Sequence, residues 1–200
     1  MEHKISKLRR KLKGELDKER YEHTLGVMYT AASLAMCHGA DMEQALLAGL
    51  LHDCAKCIPA KKKGKLCRKY RLGISDVEYQ NPSLLHAKLG AFLAAKKYHV
   101  KDKEILDAIS SHTTGRPHMS LLEKIIYIAD YMEPGRAELP NMAAVRGLAF
   151  QNLDECLYRI LKDSLDYLKT KDLTIDTMTE KTYEYYKKKL KKEEDEWNRH

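Results

Sequence analysis

The chain has 200 residues, 44% apolar and 32% charged, a composition that fits one folded domain and excludes a disordered chain. No apolar run approaches the roughly 18 residues of a membrane span, and the opening MEHKISKLRR lacks the apolar segment of a secretory signal, so a cytoplasmic protein is expected. The net charge of +7 is concentrated in Lys4 to Lys13, Lys61 to Lys69 and Lys187 to Lys192; it would suit an anionic partner, although solvated helix faces account for such runs more simply.

In chain order, Ile5, Leu8, Leu12 and Leu16 form one stripe of a first helix over residues 3–16, interrupted near Gly14. A second helix is expected from Glu19 to His38, closed by Gly39 in the left-handed conformation. Asp41 and Gln44 have the spacing of a capping box for a helix from Met42 to Asp53, apolar almost all round and therefore buried. The basic stretch Lys61 to Asp76 gives no clear periodicity. Asn81 and Pro82 fit the N-cap and first position of a helix reaching Tyr98, and Asp102 caps one ending near His112.

Ser120 and Glu123 form a second capping box, opening a helix from Leu121 to Met132 that Pro134 and Gly135 end. One long helix is expected from Asn141 to Leu168 on the stripe Leu148, Leu153, Leu157, Ile160, Leu161, Leu165 and Leu168, and a last, highly charged helix over residues 176–197. With only four valines and no alternating apolar pattern, the fold class is all-α: a helical array in a single domain over 1–200, its core about 17–168. Five irregularly spaced cysteines read as reduced thiols rather than a disulfide framework, and the lone C-x-x-C of Cys54 and Cys57 as buried thiols rather than a zinc knuckle.

The sharpest chemical signal is the adjacent pair His52-Asp53 at the end of an apolar helix. A buried carboxylate needs a partner or a cation. An isolated His-Asp pair is more often satisfied by local hydrogen bonds, but His23, His86, His112 and Asp130 also fall on apolar helical faces. Together they outweigh that reading. Mixed imidazole and carboxylate donors suit iron, manganese or zinc rather than calcium. Six such ligands exceed what one tetrahedral zinc uses, so two divalent ions are expected. Such a pair leaves an electropositive centre for phosphate and activates water, which points to phosphoester or phosphoanhydride hydrolysis. Lys56, three residues past Asp53, lies nearly one helical turn away, close enough to stabilise a transferring phosphoryl group. Arg116 and Arg136 each follow a glycine in a loop, where a guanidinium can grip phosphate. His3, His38, His99, His118 and His200 sit at termini or in polar surroundings and are left outside the site.

The segments RYEHTLGV (Arg20 to Val27), LLHDCAK (Leu50 to Lys56), LLHAKLGAFLA (Leu84 to Ala94), SSHTTG (Ser110 to Gly115) and LEKIIYIADYMEPGR (Leu122 to Arg136) resemble the HD phosphohydrolase superfamily. Within it they resemble its symmetrical bis(5'-nucleosyl)-tetraphosphatase branch. That resemblance implies a helical HD fold and a two-metal centre, usually iron, on His23, His52, Asp53, His86, His112 and Asp130. It also implies hydrolysis of diadenosine tetraphosphate to two ADP through a metal-activated hydroxide, with Asp53 and Lys56 as catalytic residues. By the same carry-over, Arg20, Thr113, Thr114, Arg116, Glu133 and Arg136 would line the nucleotide pocket. A hydrolase of another nucleotide, a mono-, tri- or cyclic phosphate, stays open because one fold hosts several substrates. A basic nucleic-acid-binding protein with a structural metal is the more distant alternative. The lysine runs lack the interleaved aromatics of a single-strand binder outside Tyr183 to Lys189, which argues against nucleic acid. Neither a membrane partner nor a particular oligomeric state is implied, a homodimer being left open.

Overall fold

In a computed structural model, the structure describes residues 2–137, 139 and 141–199; His200, which the sequence sets outside the site, lies beyond them. Eleven helices follow in order, with no strand among the described residues: α1 Glu2–Lys13, α2 Lys18–His38, α3 Met42–Leu51, α4 Ala60–Lys69, α5 Asp76–Gln80, α6 Leu85–Lys97, α7 Lys103–Ser111, α8 Leu121–Met132, α9 Met142–Ala149, α10 Leu153–Thr170 and α11 Thr177–Trp197. The helices begin and end where local chemistry places caps. Asp17, Asp41, Asp102, Ser120 and Asp176 each accept a backbone N–H of the first turn that follows. Gly39 ends α2 at φ 70°.

The α2, α3, α7 and α8 helices pack around one another, and α6 lies against α7. Small residues set the close crossings. A Cβ on Gly49 of α3 would stand 2.9 Å from the Met28 Cα of α2. On Gly90 of α6 it would stand 3.3 Å from the His52 carbonyl oxygen. One continuous cluster of buried apolar side chains runs from Leu8 through Leu34, Leu50, Ile109, Ile126 and Ile160 to Tyr186.

Four features differ from the sequence-based expectation, each for a local reason. The α3 helix stops at Leu51, and His52 to Cys57 continue as overlapping turns. Gln44 makes only half of a capping box, since its side-chain amide donates to Asp102 (2.7 Å) instead of returning to the Asp41 backbone. Asn81 does not open α6. Its side-chain oxygen accepts from the backbone and hydroxyl of Ser83, holding 81–84 as turns, so the helix starts at Leu85. The expected helix from Asn141 to Leu168 is two helices, because Asn152 turns its side chain to the N–H groups of Asp154 and Glu155 and caps α10 afresh. In the basic stretch that gave no periodicity, α4 and α5 form, the latter on a Ser75–Glu78 capping box.

Candidate metal centre

Five elements bring the chemistry together. His23 comes from the middle of α2, His52 and Asp53 from the end of α3, His86 from the first turn of α6, His112 from the end of α7 and Asp130 from the last turn of α8. His52, His86 and His112 share one device. Each Nδ1 lies on the carbonyl oxygen three residues earlier, at Gly49 (2.7 Å), Ser83 (2.6 Å) and Ile109 (2.7 Å). For His52 and His112 that carbonyl belongs to the last turn of the helix, where oxygens lack helical partners. His23 Nδ1 lies 3.0 Å from a Glu133 carboxylate oxygen. A carbonyl or carboxylate can only accept, so all four Nδ1 atoms carry a proton, and all four Nε2 atoms turn inward, where each can offer a lone pair to a cation.

These lone pairs converge on the two carboxylates. Asp53 Oδ1 is 3.2 Å from His86 Nε2 and 3.6 Å from His112 Nε2. Its other oxygen, Oδ2, is 3.6 Å from His52 Nε2 and 3.9 Å from His23 Nε2. Asp130 Oδ1 lies 3.0 Å from His23 Nε2 and 3.7 Å from His52 Nε2. His86 Nε2 and His112 Nε2 face each other at 3.1 Å, two lone pairs that repel unless a cation comes between them. Among the described residues, His23 Nε2, His52 Nε2 and Asp53 Oδ1 are fully buried without a hydrogen-bond partner. Orphaned buried acceptors facing a common point cost free energy that a divalent metal ion would recover. The donor set therefore fits such an ion, and two triads meet at His52: His23, His52 and Asp130, and His52, Asp53 and His112.

The electrostatics agree. Burial pushes the His52 imidazole down to about 4, against the pull of Asp53 and Asp130, so its lone pair is free at neutral pH. Burial lowers His86 likewise. Burial opposes ionisation of Asp53, but His52, His112 and His86 outweigh it and hold the carboxyl well below the usual range. Asp130 is lowered in the same way, burial being outweighed by His23 and His52. Burial works against charge on His112 too, but there Asp53 outweighs it and raises the imidazole, so the two buried anions draw positive charge toward them.

Around this cluster stand four cationic or hydroxyl side chains from the sequence-based set. Lys56 Nζ is 3.2 Å from His86 Nε2 and 3.8 Å from Asp53 Oδ1. The Thr113 hydroxyl is 3.2 Å from His86 Nε2. Arg20 pairs with Asp53 Oδ2 at 2.8 Å, and Arg136 with Asp130 Oδ1 at 2.6 Å. Two expected pocket residues are placed otherwise, and a third takes on a further role. Arg116 grips the fully buried Glu123 with two hydrogen bonds of 2.6 Å, reinforcing the capping box of α8. Thr114 points its hydroxyl at the Gly115 carbonyl, in the same surface hollow as Arg116 and away from the cluster. Glu133 faces His23 and the Gly135 N–H, and it also lines a surface cleft with Arg20 and Arg136. Sequence reasoning missed this role, though a signal existed: Gly26, one turn after His23, leaves the space, since a Cβ there would meet Glu133 Oε2 at 2.3 Å.

Residues 20–135 match the HD domain family model. The chain is 40% identical to a symmetrical bis(5'-nucleosyl)-tetraphosphatase of Bacillus subtilis (strain 168), covering 87% of this chain and 92% of the relative. It is 38% identical to the protein of that name in Staphylococcus aureus, over 91% and 94%. A crystal structure of a predicted HD superfamily hydrolase involved in NAD metabolism, from Clostridium acetobutylicum, superposes with a TM-score of 0.89 at 39% identity, covering 92% of this chain and 97% of that one.

Proposed function

Because the chain belongs to the HD domain family, we propose that it is a metal-dependent hydrolase that cleaves bis(5'-nucleosyl) tetraphosphates symmetrically, diadenosine tetraphosphate giving two ADP. The observation that carries this reading is the convergence of four inward-facing imidazoles on two buried carboxylates, in a chain 40% identical along most of its length to enzymes bearing that name. In this reading His23, His52, Asp53, His86, His112 and Asp130 hold two divalent ions, with iron preferred and manganese or zinc able to replace it. Asp53 would serve both ions, since its two oxygens face different histidine pairs. Bound there, the ions would supply Lewis acidity and a water acidic enough to attack at neutral pH.

The remaining steps fall to the chain's own side chains. Water adds to one of the two central phosphorus atoms, the central P–O–P linkage breaks, and the second ADP departs as an anion. That leaving group needs positive charge more than a proton. Lys56, at the lip of the cluster, stands where its ammonium can meet charge building on the phosphoryl oxygens. The Thr113 hydroxyl can donate to the same oxygens. Arg20 and Arg136 pair with the two carboxylates, and their planar guanidiniums suit the flanking phosphates of a tetraphosphate. Arg116 and Thr114 take no part in this mechanism.

The test is incubation of protein loaded with ferrous or manganese ions with diadenosine tetraphosphate, the products being separated by ion exchange. ADP as sole product, abolished by EDTA, is expected. AMP with ATP would overturn symmetrical cleavage, and no turnover by metal-loaded protein would overturn the substrate.

A further inference from the structure

Solvated helix faces are the simplest reading of the basic runs, and for one run the structure agrees. In α11, Lys187, Lys189 and Lys192 pair with Glu184, Glu193 and Glu196 of the same helix. The α4 helix is different. From Lys56 to Ser75 the chain holds eight Lys or Arg and no Asp or Glu, and among the described residues no lysine or arginine of α4 forms an ion pair. Lys61, Lys62 and Lys65 stand exposed. The first turn carries Lys61, Lys62 and Lys63 with no side-chain cap, which adds positive charge to a helix end that is already partly positive. That placement opposes folding of α4 and favours an anion beside it. The helix is held instead by its inner face, where Cys67 packs with Ala55, Leu85 and Leu89.

We propose that α4 is an electrostatic guide whose unpaired cations draw the polyphosphate chain of the substrate toward the metal cluster. The inference rests on the hydrolase reading above and adds how the substrate is captured. Three observations place the guide. The α4 helix begins four residues after Lys56, whose Nζ lies 3.2 Å from His86 Nε2. Lys63 is buried on its inner face, and burial and then Lys56 lower its pKa while Asp53 pulls the other way, so the first turn of α4 lies within electrostatic reach of the cluster. The basic helix α1, by contrast, lies at the opposite pole. Its Lys4 lines a cleft with Asp41 and Asp102, which cap the starting ends of α3 and α7, whereas His52 and His112 follow the finishing ends. Charge of one sign thus stands at two places, near the site and far from it. Exposed charges act over about a Debye length, roughly 8–10 Å at moderate salt. That reach biases the approach of a multiply charged chain without touching the bond that breaks, so the guide acts on capture and leaves the chemical step alone.

The experiment measures kcat and KM for diadenosine tetraphosphate across ionic strength with manganese-loaded protein. It compares the wild type with two triple variants of equal net charge: Lys61→Gln, Lys62→Gln, Lys65→Gln on α4, and Lys4→Gln, Lys7→Gln, Arg10→Gln on α1. All six positions are exposed, so both variants keep the fold. At low salt the α4 variant should lose about tenfold in kcat/KM with kcat unchanged, and its salt dependence should flatten until it meets the wild type in high salt. The α1 variant should stay close to the wild type throughout. An α4 variant matching the wild type at low salt would overturn the guide. Equal losses in both variants would overturn it as well, by assigning the effect to net charge, and so would a loss confined to kcat. Should the wild type turn over no tetraphosphate, the hydrolase reading fails and ADP affinity by titration calorimetry decides the guide. Weaker binding by the α4 variant alone at low salt supports it, and equal binding by all three proteins overturns it.

Discussion

At the scale of single residues, the site works by spending every Nδ1 proton outside the cluster so that every Nε2 lone pair points in. Three of those protons go to backbone carbonyls, two of them in last turns where helices leave oxygens free, and only His23 depends on a side chain, Glu133. That makes Glu133 the most vulnerable support. Glu133→Gln should weaken metal binding by roughly 10–100-fold without abolishing it, as loss of such supporting partners does; metal content after dialysis against a graded chelator measures it, and unchanged retention would show that His23 is held without Glu133. Lys56 behaves oppositely. Lys56→Ala should keep the metal while slowing turnover of diadenosine tetraphosphate by on the order of a hundredfold, read as kcat beside metal content, and an unaltered rate would remove it from catalysis. Both residues were visible in the sequence, but the support that Glu133 gives to His23 was not read from it. Glu133 and Arg116 look alike there, as polar residues near a helix end, and nothing local says that one faces a histidine 110 positions away while the other is consumed by a cap.

At the scale of elements, close helix approach and shared ion pairs hold the site's supports in register. Gly49 has an ordinary helical backbone, so Gly49→Ala costs nothing locally, but its Cβ would meet main-chain atoms of Met28, which cannot swing aside. Separation of α2 from α3 should destabilise the fold by about 1–3 kcal/mol and loosen His23 relative to His52. A lowered thermal midpoint with reduced metal affinity is expected, and a midpoint matching wild type would show that the two helices part freely. Asp154 on α10 joins Lys124 of α8 (2.9 Å) to Lys189 of α11 (2.5 Å), which docks the charged last helix onto the core beside the buried Thr182 and Tyr186. Burial opposes ionisation of Asp154, yet its two lysines outweigh it and lower its pKa. A carboxyl lowered in the folded state stabilises at pH above its ordinary value of 3.8 and loses that contribution as pH falls through the depressed one. Asp154→Ala should therefore cost about 1–2 kcal/mol at pH 7, discounted for the partial exposure of Lys189. The gap from wild type should close in strongly acid solution, as denaturation midpoints across pH would record. A gap constant with pH would assign the loss to packing instead.

At the scale of the whole molecule, folding places two anions and four lone pairs in one buried volume, so the bare protein carries an electrostatic debt that a cation relieves. Added manganese should raise the thermal midpoint with increasing concentration, and EDTA should return it to the bare value, because an ion bound only by the folded state stabilises by mass action; indifference of the midpoint to metal would mean that the cluster is satisfied without one. The sequence alone determined the all-α class, the existence of most helices and the caps that bound them, since caps and periodicity depend on residues within a turn or two of one another. It also singled out the histidines and aspartates, because chargeable residues on apolar helical faces stand out before any packing is known. Tertiary structure decided how those faces meet: which Asp53 oxygen confronts which histidines, and that Arg20 and Arg136 pair with the carboxylates while Arg116 is locked to Glu123. Those outcomes hang on helices far apart in the chain crossing at angles set by Gly49, Gly90 and the core around them, and no local pattern encodes a distance between residues that only packing brings together.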